Sequence, residues 1–153
     1  MALALNILGN HQDAEDACQE TFIQVYRNLD GFDFQKSFSN WLYTILYNRC
    51  LDQIRKRSRF YKFYNKMKRE SFQSSAAQVS NIASHQPLPQ RILKELTPKE
   101  RTLLTLWANE GYTSEEMAGV MKCSPSTARV HLFRARKKIK ALLEKENASM
   151  QTN

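Results

Sequence analysis

The chain has 153 residues, a net charge of +8 at neutral pH and 42% hydrophobic residues. This length is enough for one or two small domains, each with a modest core. The charge is unevenly placed: residues 1 to 54 hold seven acids and three bases, whereas residues 55 to 69 hold eight bases and no acid. The asymmetry suggests two different partners.

Several classes of site are excluded by composition. Cys18, Cys50 and Cys123 are isolated from one another, so neither a zinc site nor a disulfide framework is indicated. We therefore expect the protein to be located in the reducing cytoplasm. His11, His85 and His131 lie in unrelated contexts, so we expect no catalytic residues and no enzyme. The apolar start MALALNILGN is too short for a membrane span and has no basic leader, which predicts the end of a helix closed at Gly9.

A second helical pattern follows Gly9. Asp13 can cap it, and Gly31 can end it after about five turns. The predicted apolar stripe consists of Ala14, Ala17, Cys18, Phe22, Val25, Tyr26 and Leu29. The other face presents Asp16, Gln19, Glu20 and the apolar Ile23. An ordinary amphipathic helix with one stray isoleucine would explain this face, and docking to a partner is the sharper interpretation.

A loop from Asp30 to Lys36 leads to Ser37, which can cap a long helix reaching about Arg57. Its predicted core edge is formed by Phe38, Trp41, Leu42, Ile45 and Leu46. Asn48, Asp52 and Arg55 recur at helical spacing beside that edge, so they can form a supporting polar row. The helix ends in a basic cluster, which complements the helix dipole and could also follow the phosphates of an opened DNA strand.

Residues 60 to 91 are predicted to be a flexible linker. The first part, FYKFYNKMKRE, is basic and aromatic, and the rest is polar, rich in serine and closed by two prolines. A short independent helix between Arg59 and Glu70 remains an alternative for the first part. We expect the first domain to cover residues 1–59 and the second 92–146, with a disordered tail at 147–153.

The second domain is predicted to contain a helix-turn-helix. Thr97, Pro98 and Glu100 form a capping box that starts one helix, which Gly111 ends. Thr113 and Glu116 repeat the box and start a short helix that stops near Lys122 and Cys123. Ser124 and Pro125 then start a third helix that can run to about Lys145. Its buried stripe is predicted to be Ala128, Leu132, Ala135, Ile139 and Leu142 or Leu143.

This third helix is strongly basic before its first acid, Glu144. It carries Arg129, His131, Arg134, Arg136, Lys137, Lys138 and Lys140. A helix of this kind, placed second in a helix-turn-helix, can lie in a major groove with its first residues against base edges. A solvated basic face on a helical bundle is the simpler alternative.

Three stretches together resemble the extracytoplasmic-function (ECF) sigma factors of bacteria. They are DAEDACQETFIQVYRNLDGF (13 to 32), FSNWLYTILYNRCLDQIRKRSR (38 to 59) and LTPKERTLLTLWANEGYTSEEMAGVMKCSPSTARVHLFRARKKI (96 to 139). The resemblance implies an all-α fold of two small helical domains, the second being the four-helix, winged-helix-like sigma region four. It also implies a factor without catalytic activity or cofactor that directs core RNA polymerase to promoters.

The resemblance further implies the partners and the residues that meet them. Core polymerase would be bound through the clamp helices of its largest subunit and through its flap, and an anti-sigma factor is a possible further partner. The polymerase-binding residues would be Asp16, Gln19, Glu20 and Ile23. The residues at the minus-10 element would be Asp33, Phe34, Lys36, Ser37, Asn48, Asp52, Arg55 and Arg57, with a flipped base held by the loop from Asp33 to Ser37. Those at the minus-35 element would be Lys122, Ser126, Thr127, Arg129, Val130, Phe133 and Arg134.

The sequence departs from the family pattern in two places. The family has a further helix before the DAED motif, of which only the end is present, so we expect Phe22 and Trp41 to be incompletely covered. Lys122 stands where the turn usually has glycine, which predicts a positive φ at modest cost. A stand-alone helix-turn-helix regulator is the main alternative function, but it would leave residues 13 to 57 unexplained. A protein-binding adaptor would leave the basic third helix unexplained.

Overall fold

A computed structural model describes residues 1–67 and 89–151, and all regular structure in that part is helical, as predicted. The elements are α1 (Ala2–Leu8), α2 (His11–Asn28), a 3₁₀ turn (Leu29–Gly31), α3 (Phe38–Met67), α4 (Gln90–Glu95), α5 (Pro98–Glu110), α6 (Ser114–Met121) and α7 (Pro125–Gln151). Within these ranges no helix combines the length and the apolar character needed to span a membrane.

The first two helices are joined at Gly9, which adopts the left-handed conformation (φ 78°) and donates its amide to the Leu5 carbonyl. The predicted cap of α2 was wrong by three residues. Asn10 is the cap, because its side-chain oxygen accepts a hydrogen bond from the Asp13 amide at 2.8 Å. Asp13 lies instead in the first turn of α2, where its negative charge complements the helix dipole.

Helix α3 begins as predicted, after Ser37, whose hydroxyl accepts from the Asn40 amide at 3.3 Å. It does not end near Arg57 but continues to Met67, so the predicted linker boundary at residue 60 falls inside a helix. The reason is that residues 58 to 67 contain neither glycine nor proline, and adding a residue to an existing helix needs no new nucleus. Residues 68 to 88 of the predicted linker lie outside the described residues.

The caps of the second domain are as predicted. Both capping boxes form, at Thr97 with Glu100 and at Thr113 with Glu116, and Gly111 ends α5 in the left-handed conformation. Lys122 ends α6 with a positive φ of 51°. Helix α7 continues through Gln151 and thus occupies most of the segment predicted as a tail from residue 147, since that segment also has no helix breaker.

The buried face of α2 differs from the predicted stripe. Ala14, Ala17, Thr21 and Val25 are buried, whereas Phe22 is 64% exposed and Tyr26 is 82% exposed. Thr21 can lie inside because its hydroxyl donates to the Ala17 carbonyl at 2.7 Å and so keeps a hydrogen bond. The expectation that Phe22 is incompletely covered is confirmed.

Helix α1 joins the two halves of the molecule into one core. It packs against α2 and α3 on one side and α5 on the other, and α3 also packs against α6. The Asn6 amide donates to the Thr105 hydroxyl at 2.8 Å with both side chains buried. The Arg101 guanidinium donates to the carbonyls of Ile7 and Leu93, which ties the end of α1 to α4 and α5. The described helices therefore share a single buried cluster.

Candidate functional site

The exposed face of α2 carries the four residues predicted to bind polymerase. Asp16, Gln19, Glu20 and Ile23 are all exposed, and their spacing of three, four and seven places them in one row along the helix. Ile23 is 52% exposed between acidic and polar neighbours. The helix has its buried face elsewhere, so this row is available to a partner.

Helix α2 is held in place by polar contacts with α3. Arg49 donates to the Gln24 side-chain carbonyl at 3.0 Å, and Arg57 forms an ion pair with Asp13 at 3.5 Å. Neither pair was predicted, because the two partners of each pair are far apart in sequence. Arg57 is thereby directed toward α2 and away from the polar row on α3.

The loop between the 3₁₀ turn and α3 is organised by Asp33. Its carboxylate accepts from the Gln35 amide at 3.1 Å and forms an ion pair with Lys36 at 3.3 Å. These two contacts lower the pKa of Asp33 below its ordinary value, and the hydrogen bond from the Gln35 backbone has the larger effect. The loop therefore presents a carboxylate that stays ionised and an adjacent ammonium group.

An aromatic cluster supports this loop. The ring of Phe32 stacks on Trp41 with centroids 4.7 Å apart, and Phe34 and Phe38 meet Phe32 edge to face. Beside the cluster is an open cavity of about 770 Å³. Its lining combines rings with polar groups and includes Phe32, Asp33, Lys36, Ser37, Asn40, Trp41 and Thr44, with Gly119 of α6 at one edge. Phe34 is not part of this lining but is 79% exposed on the loop.

The contribution of Phe32 and Trp41 to this cavity was missed in the sequence. Four aromatic residues within ten positions around a turn were the available signal. Phe38 and Trp41 were assigned to the core edge, although Phe38 is 43% exposed. A cavity with flat aromatic walls and a charged rim can hold a planar heterocycle by stacking and hydrogen bonding.

The polar row of α3 is partly assembled. Arg55 contacts Asp52 at 3.1 Å, as its spacing predicted. Asn48 is exposed one turn before Asp52. The row continues along α3 at a spacing of four residues from Thr44, which lines the cavity.

All the residues predicted to contact the minus-35 element are exposed. Lys122 lies in the turn before α7, and the others lie in the first turns of α7. Ser124 caps the helix by accepting from the Thr127 amide at 3.1 Å, and its hydroxyl also hydrogen-bonds to the Ser126 and Thr127 hydroxyls. Val130 is 48% exposed and Phe133 is 68% exposed. The other exposed members are Lys122, Arg129 and Arg134. The opposite stripe of Ala128, Leu132 and Ala135 is buried, as predicted.

Two basic residues of α7 contact side chains of α5. Lys138 donates to the buried carboxylate of Glu100 at 2.8 Å, and Arg136 stacks over the Trp107 ring at 4.8 Å. Burial alone would raise the pKa of Glu100, but the contacts with Lys138 and Thr97 outweigh it and lower that pKa. These contacts fix α7 on α5, so the first turns project from a rigid base.

The predicted residues thus form three separate surfaces: the α2 row, the loop and outer side of α3, and the start of α7. In the described ranges no group of His, Cys, Asp and Glu is arranged to hold a metal ion.

Comparison with known families covers both halves of the chain. Residues 1–60 match Sigma-70 region 2. Residues 90–139 match Sigma-70, region 4. The first match contains the α2 row and the loop, and the second contains the helix-turn-helix.

Curated relatives match over most of the chain. The ECF RNA polymerase sigma factor SigW of Bacillus subtilis is 31% identical over 92% of this chain and 81% of its own length. The ECF RNA polymerase sigma-E factor of Escherichia coli is 32% identical over 83% of this chain and 72% of its own length.

Solved structures show the same fold. The sigma factor RpoE of Bartonella quintana, in complex with the anti-sigma factor NepR, superposes with a TM-score of 0.78 at 25% identity, covering 94% of this chain and 88% of that one. CnrH, in complex with the cytosolic domain of CnrY, gives a TM-score of 0.62 at 25% identity, with 94% and 81% covered. With the three surfaces described above, these matches show that the chain belongs to the ECF family of RNA polymerase sigma factors, the non-enzymatic factors that bind core polymerase and direct transcription initiation at promoters.

Proposed function

We propose that each of the three surfaces binds a different partner during transcription initiation. The α2 row docks on the clamp helices of the largest polymerase subunit, the loop and α3 hold the minus-10 element, and the start of α7 reads the minus-35 element. The observation that carries this proposal is Ile23, which lies exposed in a row of acidic and polar side chains on a helix whose buried face is satisfied elsewhere. A patch of exposed apolar side chains with a charged rim is typical of a protein-binding site, and Phe22 and Tyr26 are also exposed next to Ile23 on this helix.

The cavity beside Trp41 is proposed to receive a base flipped out of the minus-10 element. Extruding a base costs a few kcal/mol, so a pocket formed in advance lowers the cost of capture. The stacked rings of Phe32 and Trp41 offer a flat apolar wall, and the Asp33 carboxylate offers an acceptor for an exocyclic amine. Asn48, Asp52 and Arg55 continue the same surface toward the neighbouring nucleotides, and Lys36 and Ser37 can contact the phosphates.

The start of α7 is proposed to enter the major groove at the minus-35 element. Arg129, Val130 and Phe133 are exposed on one side, where side chains can reach base edges. Lys122, Thr127 and Arg134 flank them and suit phosphates. A stand-alone regulator is not favoured, since residues 1–60 match a polymerase-binding sigma region that such a regulator lacks.

The place of action and the regulator are also proposals. The chain is proposed to act in the cytoplasm, where its polymerase and promoter are found. Further contact with the polymerase flap is proposed for the second domain. RpoE and CnrH were both solved with a regulatory partner, which supports a proposal that an anti-sigma factor sequesters this chain as well.

The docking proposal is tested by charge reversal on α2. Asp16→Lys combined with Glu20→Lys should lower affinity for core polymerase at least tenfold, because both carboxylates lie in the docking row that Ile23 ends. The measurement is fluorescence anisotropy of the labelled chain titrated with purified core polymerase. Glu15→Lys makes the same charge change as either single reversal, on another side of the same helix, and should bind like the unmodified chain.

Equal binding of the double variant and the unmodified chain would remove the α2 row from the interface. The same outcome would leave the family assignment intact, since that assignment rests on the whole chain.

A further inference from the structure

A second open cavity lies in the second domain, between the first turn of α5 and one side of α7. Its volume is about 520 Å³. Cavities that hold small molecules in proteins have volumes of about 300 to 1,000 Å³. The basic residues in its lining are His131, Arg134, Lys137 and Lys138. It is called here the α7 cavity.

The basic residues of α7 from His131 to Lys140 divide into two groups. One group has an aromatic or acidic partner: Arg136 with Trp107, Lys138 with Glu100, and Lys140 with Glu144. The other group is His131, Arg134 and Lys137, which form no ion pair within the part of the chain that the structure describes. All three line the α7 cavity. The uncompensated basic groups of this stretch therefore lie together.

This arrangement is unfavourable for the fold alone. Arg134 and Lys137 lie three residues apart, so they are neighbours on the helix surface and their positive charges repel each other. Glu100 is the acidic residue in the lining, but its carboxylate already accepts from Lys138 and from the Thr97 amide, each at 2.8 Å. A ligand with negative charge would stabilise the two free cations.

The donors in the cavity fit phosphate oxygens. The Arg134 guanidinium can donate two parallel hydrogen bonds to one phosphate group, and the Lys137 ammonium adds a positive charge on a flexible stem. The His131 ring and the Thr97 hydroxyl can each donate one more hydrogen bond. His131 and Lys137 are separated by about 9 Å along the helix axis. A chain of linked phosphates matches this row better than a single phosphate does.

The position of the cavity favours a small molecule over the DNA duplex. Val130 lies on the side of α7 that is proposed to face base edges. His131 and Lys138 lie about 80 to 100° around the helix axis from it, since successive residues of an α-helix are about 100° apart. The phosphates of a duplex lie on the outside of a rod, whereas this site is concave.

We propose that the α7 cavity is a binding site for a small molecule that carries two or more linked phosphates, with Arg134, Lys137 and His131 as its donors. Arg134 is also proposed to contact a phosphate of the minus-35 element. The ligand should therefore compete with the duplex, and this consequence rests on the proposed function. Binding of the ligand itself needs neither polymerase nor promoter, so the two proposals can fail separately.

Isothermal titration calorimetry of the full chain with inorganic tripolyphosphate tests the site, because this probe has linked phosphates and no other group. We expect saturable binding of one ligand per chain at an ionic strength of about 0.15 M. Lys137→Glu should raise the dissociation constant at least tenfold, since it replaces a donor by a carboxylate that repels the ligand. Lys137→Gln should cause a smaller loss of affinity in the same direction.

Lys140→Glu is the matched control. It makes the same charge change on the same helix, at a side chain that is 79% exposed and does not line the cavity. It should change the dissociation constant less than twofold, because salt screens exposed charges that are more than about 8 Å from the ligand. Circular dichroism of both charge-reversal variants checks that they keep the helix content of the unmodified chain.

Three results would overturn the proposal. Equal weakening by Lys137→Glu and Lys140→Glu would show attraction to the net charge and no site. A lack of saturable heat at about millimolar tripolyphosphate would exclude the ligand class. If Lys137→Glu weakened binding of a DNA duplex but not of tripolyphosphate, the cavity would be a contact for the DNA backbone. Saturable binding that fails to displace a duplex would keep the site and remove Arg134 from the minus-35 contacts.

Discussion

Most residues at helix ends were predictable, but both ends of α2 were predicted wrongly: its cap is Asn10 and not Asp13, and it ends at Asn28, before the predicted Gly31. Thr97, Thr113 and Ser124 cap the helices that their spacing indicated, and Gly9 and Gly111 take the left-handed conformation that glycine favours. Such contacts join residues only a few positions apart, so the sequence contains both partners. The pairs Asn6 with Thr105 and Glu100 with Lys138 depend on how helices pack, which local sequence does not determine.

Glu100 should make stability depend on pH. Its pKa is lowered in the folded protein from an ordinary value of 4.5, so the ionised form stabilises the fold above that value. This contribution should be lost as pH falls from about 4.5 through the lower folded value. Glu100→Gln should destabilise the protein by about 1 to 2 kcal/mol at neutral pH and flatten this part of the profile.

Urea unfolding at pH values between 3 and 7 measures both effects, and these pH values span the ordinary carboxylate range. Glu144→Gln is the control, since that carboxylate is 66% exposed in a loose pair with Lys140. If Glu100→Gln kept the full slope of the unmodified protein, another carboxylate would be responsible for it.

Arg129 should determine base preference. It is exposed at the start of α7, above a stripe buried against α5 and α6. Arg129→Ala should relax discrimination at one position of the minus-35 element by about 1 to 3 kcal/mol if a bidentate base contact is lost. Anisotropy titrations with single-base variants of the bound duplex measure this. A change in salt dependence alone, with base preference kept, would make Arg129 a phosphate contact.

Among the described helices, α1, α2, α3, α5, α6 and α7 were predicted in order but not in all their limits, and α4 was not located in the sequence. The period of apolar residues identified α2 and α3, yet α3 continues ten residues past Arg57 because nothing in the sequence stops it. The stripe on α2 was assigned too broadly, since Phe22 and Tyr26 belong to the predicted apolar stripe with Val25 but are exposed in the described structure. A period indicates a face that can be buried, and only a neighbouring element buries it.

This difference on α2 gives a matched pair of substitutions. Val25→Ala should cost about 1 to 2 kcal/mol of unfolding free energy, because Val25 is 8% exposed and its removal leaves a cavity. Phe22→Ala should change stability by about 0.5 kcal/mol or less, although it removes a larger side chain. Urea unfolding of both variants measures the comparison. A larger loss for Phe22→Ala would mean that this ring is buried in solution.

At the scale of the whole molecule, the two sigma regions share a core through α1, α3, α5 and α6. A compact chain of this length has a radius of gyration of about 15 Å. The minus-10 and minus-35 elements are named for positions about 25 base pairs apart, which is about 85 Å of duplex. The compact arrangement cannot reach both elements at once. Under the proposed assignment of the two regions to these elements, promoter binding on polymerase requires the contacts of α1 with α5 and of α3 with α6 to open.

The central claim is that this chain joins core polymerase and selects where transcription begins. Run-off transcription with purified core polymerase, the chain and a library of promoter templates tests it most directly. The account predicts transcripts that begin at a defined distance from a shared pair of sequence elements, and that disappear when the chain is omitted. Transcripts that form equally well without the chain would contradict this claim. So would a complete lack of transcripts on every template because the chain does not bind the polymerase.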